Sequence, residues 1–409
     1  MRLARRMLNV ERLEPRHMLT VGGDVAVAVV DGDLVINGDF HDNYIEIEQS
    51  GNGEYTVTGQ GGTTVNGMGA DTVSGVNDDF RIYMDDGNDR VEITGDTTVP
   101  DDLWAEMGNG NDLIRLSQSS SDNVRVNGDV NISTGAGEDE VKFWYTTHIG
   151  DDVAINTGED SDEIEIWNDT FINDDVDIDT GAGDDEILVW NRSEIGGDFH
   201  AKMGAGEDEI KIWNDTKIKG DAHIHTGEGN DEINVWNQAE IYGNFSATTG
   251  DGHDEVDIRN DAFLHQDVTI KTGSGDDTVD IINSVQIGDD LKIDTSAGYD
   301  TVNIGDDNFY GNYEEGNGTD MVRVHGETEI QTGRDEDDVH IFNALFKDDF
   351  ELRLGRGDDF AEICDAIFKE DVDLGGGNGY DELAISLVEY DDLDIEGFED
   401  IDVCEAFPE

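Results

Sequence analysis

Aspartate recurs in this chain at a spacing that could do chemistry. It stands fifth in a Gly-x-Gly-x-Asp turn, as Asp71, Asp89, Asp112, Asp139, Asp162, Asp185, Asp208, Asp231, Asp254, Asp277, Asp300, Asp320, Asp337, Asp359 and Asp381. All fifteen registers keep it, while Asp85 and Ser296 replace the first glycine and Asp160 and Asp335 the second. The aliphatic residue two places on, such as Ile187 after Asp185, shares its parity in an extended chain, so both lean to the same side of a strand. Stacked turns would set successive carboxylates about 5 Å apart. Each neighbouring pair then repels by about 3 kcal/mol at an effective dielectric near 20. Such a line must either hold protons or share cations. Glycines at positive φ can turn carbonyl oxygens toward the same place. Carboxylate with carbonyl oxygen is a hard donor set, which suits several Ca²⁺ ions better than zinc or copper. The alternative is turn chemistry alone, with each Asp accepting backbone N–H groups. Asp160 and Asp335 put their two sites in question.

The elements that must position these aspartates follow from the step. From Gly135 to Ser296 the registers are 23 residues apart without exception, and elsewhere the step varies from 17 to 27. In the unit that starts at Gly181, apolar residues fall at Ile187 and Val189, at Ile195, and at Phe199 and Ala201. A spacing of two means strand, and nothing in the unit has helical spacing. A fixed step is the mark of a solenoid. No proline lies between Pro100 and Pro408, as a ladder paired on both sides requires. The reading is all-β: a right-handed parallel β-helix (β-solenoid) with about 23 residues per rung, three-sided, a flattened two-sided coil being the alternative. Residues 67–382 form the repeats, 20–66 an N-terminal cap with irregular first rungs, and 383–409 a C-terminal cap. Gly38 to Asp42 offers a weaker first rung.

Other columns run beside the aspartates. Asp152, Asp175, Asp198, Asp221, Asn244, Asp267 and Asp290 precede the third strand and read as turn residues or a second ion line. Asn168, Asn191, Asn214, Asn237, Asn260 and Asn283 can take the left-handed conformation and bond amide to amide between rungs. Trp144, Trp167, Trp190, Trp213 and Trp236 have the outward parity. They form a candidate ligand strip for sugar rings or a protein, or else they fill a corner of the coil. The threonines at Thr134, Thr157, Thr180, Thr226, Thr249, Thr272 and Thr295 match a wide, uncharged ice-binding face poorly. His200, His223 and His225 read as surface residues. Cys364 and Cys404 are either two thiols or a C-terminal staple.

The turn resembles the Gly-Gly-x-Gly-x-Asp-x-h nonapeptide of RTX (haemolysin-type) calcium-binding proteins, as Thr134-Gly135-Ala136-Gly137-Glu138-Asp139-Glu140-Val141 shows. Here the leading glycine is usually another residue, and the motif comes once per coil rather than in tandem nines. The asparagine column resembles the ladder of polysaccharide-lyase β-helices. The head, residues 1–19, carries five arginines against two glutamates, and Glu11 to Leu19 resembles the LEPR-x-L-L signature of large acidic surface or exported bacterial proteins, with Met18 for the first of the last two leucines. That resemblance implies a targeting segment and an extracellular or cell-surface location.

Composition narrows the partners. The chain has 409 residues, 99 of them acidic, and a formal net charge of −75. Nucleic acid and anionic membrane are poor partners for such a polyanion, and no stretch has the length and apolarity of a membrane-spanning segment. Calcium is the expected partner, with an extracellular glycan or surface protein beside it. Eight consecutive 23-residue registers leave no room for cleft-building loops, and no catalytic motif appears, so no enzyme is expected. The reading is a calcium-folded surface, matrix or adhesion component. The alternative is a carbohydrate-binding module, or a lyase-like β-helix, working through Trp144 to Trp236.

Overall fold

The structure is a computed structural model that describes residues 23–305 and 321–404. The basic head 1–19 lies outside the described residues. Each coil is built as the alternation dictates. Val176–Ala182 leads through the Gly-x-Gly-x-Asp turn into Glu186–Trp190, and a short bend leads on to Glu194–Ile195. The next coil repeats this in parallel register, pairing Val176 with Phe199, Glu186 with Glu209 and Glu194 with Lys217. The result is a parallel β-solenoid of about 13 turns with roughly 23 residues per turn.

Three ladders of strands therefore run along the rod. Their hydrogen bonds gather them into two sheets rather than three, because the second and third ladders join where Phe360–Phe368 runs through both. Between these ladders the chain needs only a bend. Asn191 and Arg192 supply it with φ of 55° and 64°. The asparagine column sits at this bend and bonds as a ladder, Nδ2 of each rung to Oδ1 of the rung before, at 3.1–3.3 Å from Asn168 to Asn283. The core fills with the expected positions: Ile187, Val189, Ile195, Phe199 and Ala201 are all buried.

The threonine column is buried too, which rules out an ice-binding face. Its hydroxyls donate to carbonyls one rung on, as from Thr157 to Thr180 at 3.3 Å. These residues stand on the interior side of the first ladder, beside the turn. Each hydroxyl finds a carbonyl there, so no polar group is orphaned.

Parallel stacking starts earlier than the motif suggests. Asp33–Asn37 pairs with Phe80–Tyr83 and Tyr44–Gly51 with Arg90–Thr94. The first rung's turn thus runs from Asp39 to Asn43, one place on from the Gly38–Asp42 expectation. Between these two coils the chain makes an excursion in which Glu54–Gly59 pairs antiparallel with both Tyr44–Gly51 and Ala70–Ser74. The Gly67 turn belongs to that excursion. A second enlarged coil lies further on, where Leu291–Ala297 pairs directly with Thr328–Arg334. At the far end Leu393–Glu396 and Asp400–Asp402 close the ladders. Of the two cysteine readings the staple is realised: Cys364 and Cys404 form a disulfide with Cα atoms 6.3 Å apart.

Close stacking makes the turn glycines sensitive. Gly206 has φ of 150°, and a Cβ there would stand 1.7 Å from the Gly183 carbonyl oxygen. Gly206→Ala is expected to destabilise the rod by roughly 3 kcal/mol. An unchanged melting transition in that variant would contradict the stacking.

Candidate metal centre

The turn between the first and second ladders sets the aspartates. Gly181 and Gly183 take φ of 99° and 150°, which swings the chain through a corner that few L residues could follow. Asp185 then points inward with Ile187, and both are buried. Asp160 and Asp335 enter the corner by a different route, with φ of 77° and 75°, inside the left-handed region that Asp tolerates. Their column neighbours Asp162 and Asp337 keep the same hydrogen bonds as the rest.

Thirteen of the fifteen expected aspartates form one unbroken column: Asp89, Asp112, Asp139, Asp162, Asp185, Asp208, Asp231, Asp254, Asp277, Asp300, Asp337, Asp359 and Asp381. In each, Oδ1 accepts the backbone N–H of the preceding rung's column residue, over 2.7–3.1 Å. Asn43 begins the series as donor. Asp381 ends it by donating to Oε2 of Glu399 at 2.9 Å. Neither end residue is legible from the turn motif, because neither is an aspartate in the fifth position. One expected member does not belong. Asp71 lies in the antiparallel excursion, where it accepts from the Asn66 amide at 2.7 Å and the Thr72 N–H at 2.9 Å. Asp320 lies outside the described residues, and the column passes from Asp300 to Asp337 directly.

The turn-chemistry reading is therefore realised for one oxygen of each carboxylate. The other oxygen is different. Oδ2 of all thirteen is shielded from solvent and has no hydrogen-bond partner. Burial raises the Asp185 pKa and the Thr180 hydroxyl beside it offsets only part of the rise, that hydroxyl donating to the Met203 carbonyl at 3.2 Å. Burial dominates the titration. It pushes Asp112 up to about 8 and Asp89, Asp162, Asp208 and Asp337 to about 7. Asp254, Asp300 and Asp359 are raised to about 6. Neighbouring carboxylates add to the rise, as Asp139 and Asp89 do for Asp112. An ionised carboxylate here has lost water and gained one N–H, which does not balance. A cation or a proton at Oδ2 would restore the balance.

The donor set suits a hard cation: the thirteen orphaned carboxylate oxygens would hold calcium or a like ion and supply its charge balance. Among the described residues, the compact groups of three carboxylates are Asp33 with Asp78 and Asp79, and Asp267 with Asp289 and Asp290. Neither lies in the column, whose members stand one rung apart. The second acidic column behaves as turn aspartate. Asp175, for instance, accepts the Asp198 N–H at 2.8 Å and is exposed. Its hydrogen bonds point the opposite way along the rod from those of the buried column.

The five tryptophans stand on the outer side of the second ladder, half-buried against one another, and so do not fill an interior corner. Trp167, Trp190 and Trp213 stack at 5.0 and 5.3 Å, while Trp144 and Trp236 meet the stack edge-on. Guanidinium groups cover both ends, Arg115 over Trp144 at 5.0 Å and Arg259 over Trp236 at 4.7 Å. The Nε1 atoms of Trp167, Trp190, Trp213 and Trp236 are shielded from solvent. The strip is thus less open than outward parity alone implies.

No family model, curated protein or solved structure matches this chain. The likeness to RTX repeats rests on the residues of the turn, while the solenoid itself rests on strand pairing.

Proposed function

We propose that this chain is an exported, calcium-loaded β-solenoid with a structural rather than enzymatic role at a cell surface or in an extracellular matrix. The observation that carries the reading is the set of thirteen buried Oδ2 atoms with no partner. In a low-calcium cytosol, like charges along the column and across a chain of net charge −75 hold the polypeptide loose. Outside, calcium between the rungs offsets the buried charge, and binding energy becomes folding energy. The Cys364–Cys404 disulfide supports an oxidising location, as does the basic, LEPR-like head.

The test is circular dichroism of chelator-treated protein near neutral pH during a calcium titration, with magnesium as control. Strand signal and melting temperature should rise together with calcium and little with magnesium, which dehydrates reluctantly and usually keeps several waters. If the metal-free chain is equally folded and equally heat-resistant, the column needs no cation and the reading fails.

A further inference from the structure

We propose that the outer face of the first ladder is a docking groove for an extended, uncharged polysaccharide chain. This goes beyond the calcium reading and does not depend on which ion fills the column. The groove crosses seven successive strands, from Leu103–Asn109 to Phe245–Asp251, and holds about 820 Å³. At one rung spacing per strand it is roughly 30 Å long. Its walls are side chains with outward parity, two per rung.

The lining sets this face apart on a strongly acidic chain. Asn131, Ser133, Asn156, Ser246 and Thr248 present small amides and hydroxyls toward the groove. Three acids are present, Glu106, Asp177 and Asp179. His200 faces Asp177 at 3.1 Å and Lys202 faces Asp179 at 3.0 Å. The His200 and His223 rings stack at 5.2 Å, so their edges offer a row of ring nitrogens that donate and accept. At one end Trp104 is 43 % exposed, an indole on which a pyranose ring can pack. An elongated cleft with an apolar floor and evenly spaced polar groups is the usual form of a ligand site.

Charge selects the occupant. A polyanion meets repulsion from the rest of the rod. A polycation finds many more unpaired carboxylates on other faces. A neutral chain of hydroxyl-bearing rings, laid along the axis, meets one set of donors and acceptors per rung and brings no charge of its own against Glu106 or the paired acids. The groove runs on the opposite sheet from the tryptophan strip, so the two faces can be separated experimentally.

The experiment is titration calorimetry of the full calcium-treated chain with cellohexaose, xylohexaose and mannohexaose, and with a polygalacturonate fragment as anionic control. At least one neutral oligosaccharide should bind saturably. Trp104→Ala should weaken it by about tenfold or more, with an unchanged melting temperature, and Trp190→Ala should leave it intact. Bound sugar should also shift the ring resonances of His200 and His223. Absence of binding by all three neutral sugars would overturn the proposal. So would preference for the anionic control, or loss in Trp190→Ala with retention in Trp104→Ala.

Discussion

Chelator-treated protein is expected to become more stable when acidified from about pH 8 to about pH 5, the reverse of ordinary acid denaturation. The sign follows from the column. Burial raises all its carboxyls above the ordinary 3.8 in the folded rod, and eight of them to between about 6 and about 8. Between those limits the folded chain binds more protons than the unfolded one. Stability is then fully present below about pH 4 and is lost as pH rises through the folded values. A few groups pull the other way. Glu92, buried but bonded by Tyr44 and Arg90, and Asp169, paired with Arg192, are held below their usual range. Their loss comes only under more acidic conditions. Across the stated window, the melting temperature in chelator should change by roughly 10 °C. Calcium should remove most of that dependence, because it occupies the oxygens that protons otherwise take. A chelated sample that melts no higher at pH 5 than at pH 8 would show that the column does not bear buried charge.

Replacing three central aspartates by the isosteric amide, Asp185→Asn with Asp208→Asn and Asp231→Asn, should split the two halves of the argument. The molecule itself carries Asn43 at the equivalent place in the first rung, where its N–H donates to Asp89 at 2.7 Å. An amide keeps an oxygen for the neighbouring N–H and adds no charge. In chelator above neutral pH the triple variant should therefore be more stable than the parent, by about 1–3 kcal/mol per site. In calcium it should be less stable than the parent and should bind fewer ions, by equilibrium dialysis. Equal destabilisation with and without calcium would mean that the carboxylates serve hydrogen bonding alone.

Much of the rod is legible in the chain because the information is local and repeated. Ile187, Val189, Phe199 and Ala201 announce two strands by alternation. The asparagine bend announces itself by the one residue type that tolerates its φ and can also bond along the axis. The motif misled where only the turn was matched. A rung carries an aliphatic residue three places before its turn begins, as Ile82 stands before Asp85 and Ile178 before Gly181. Gly67 has Thr64 at that place, so the turn that holds Asp71 lacks the mark shared by the column members. For the tryptophans, parity gives the side of the strand, but how open the strip is depends on neighbouring rungs, where Arg115 and Arg259 cover its two ends.

By itself, then, the sequence determined the coil length, the strands, the asparagine ladder and the inward line of aspartates, since period and parity are properties of adjacent residues. Tertiary structure alone decided which segments stack, how the excursion and the enlarged coil interrupt the count, and that Cys364 meets Cys404. It alone also divided each carboxylate into one bonded oxygen and one without a partner. That division depends on the N–H of a residue one coil away, and which residue lies one coil away is fixed only when the whole ladder is paired.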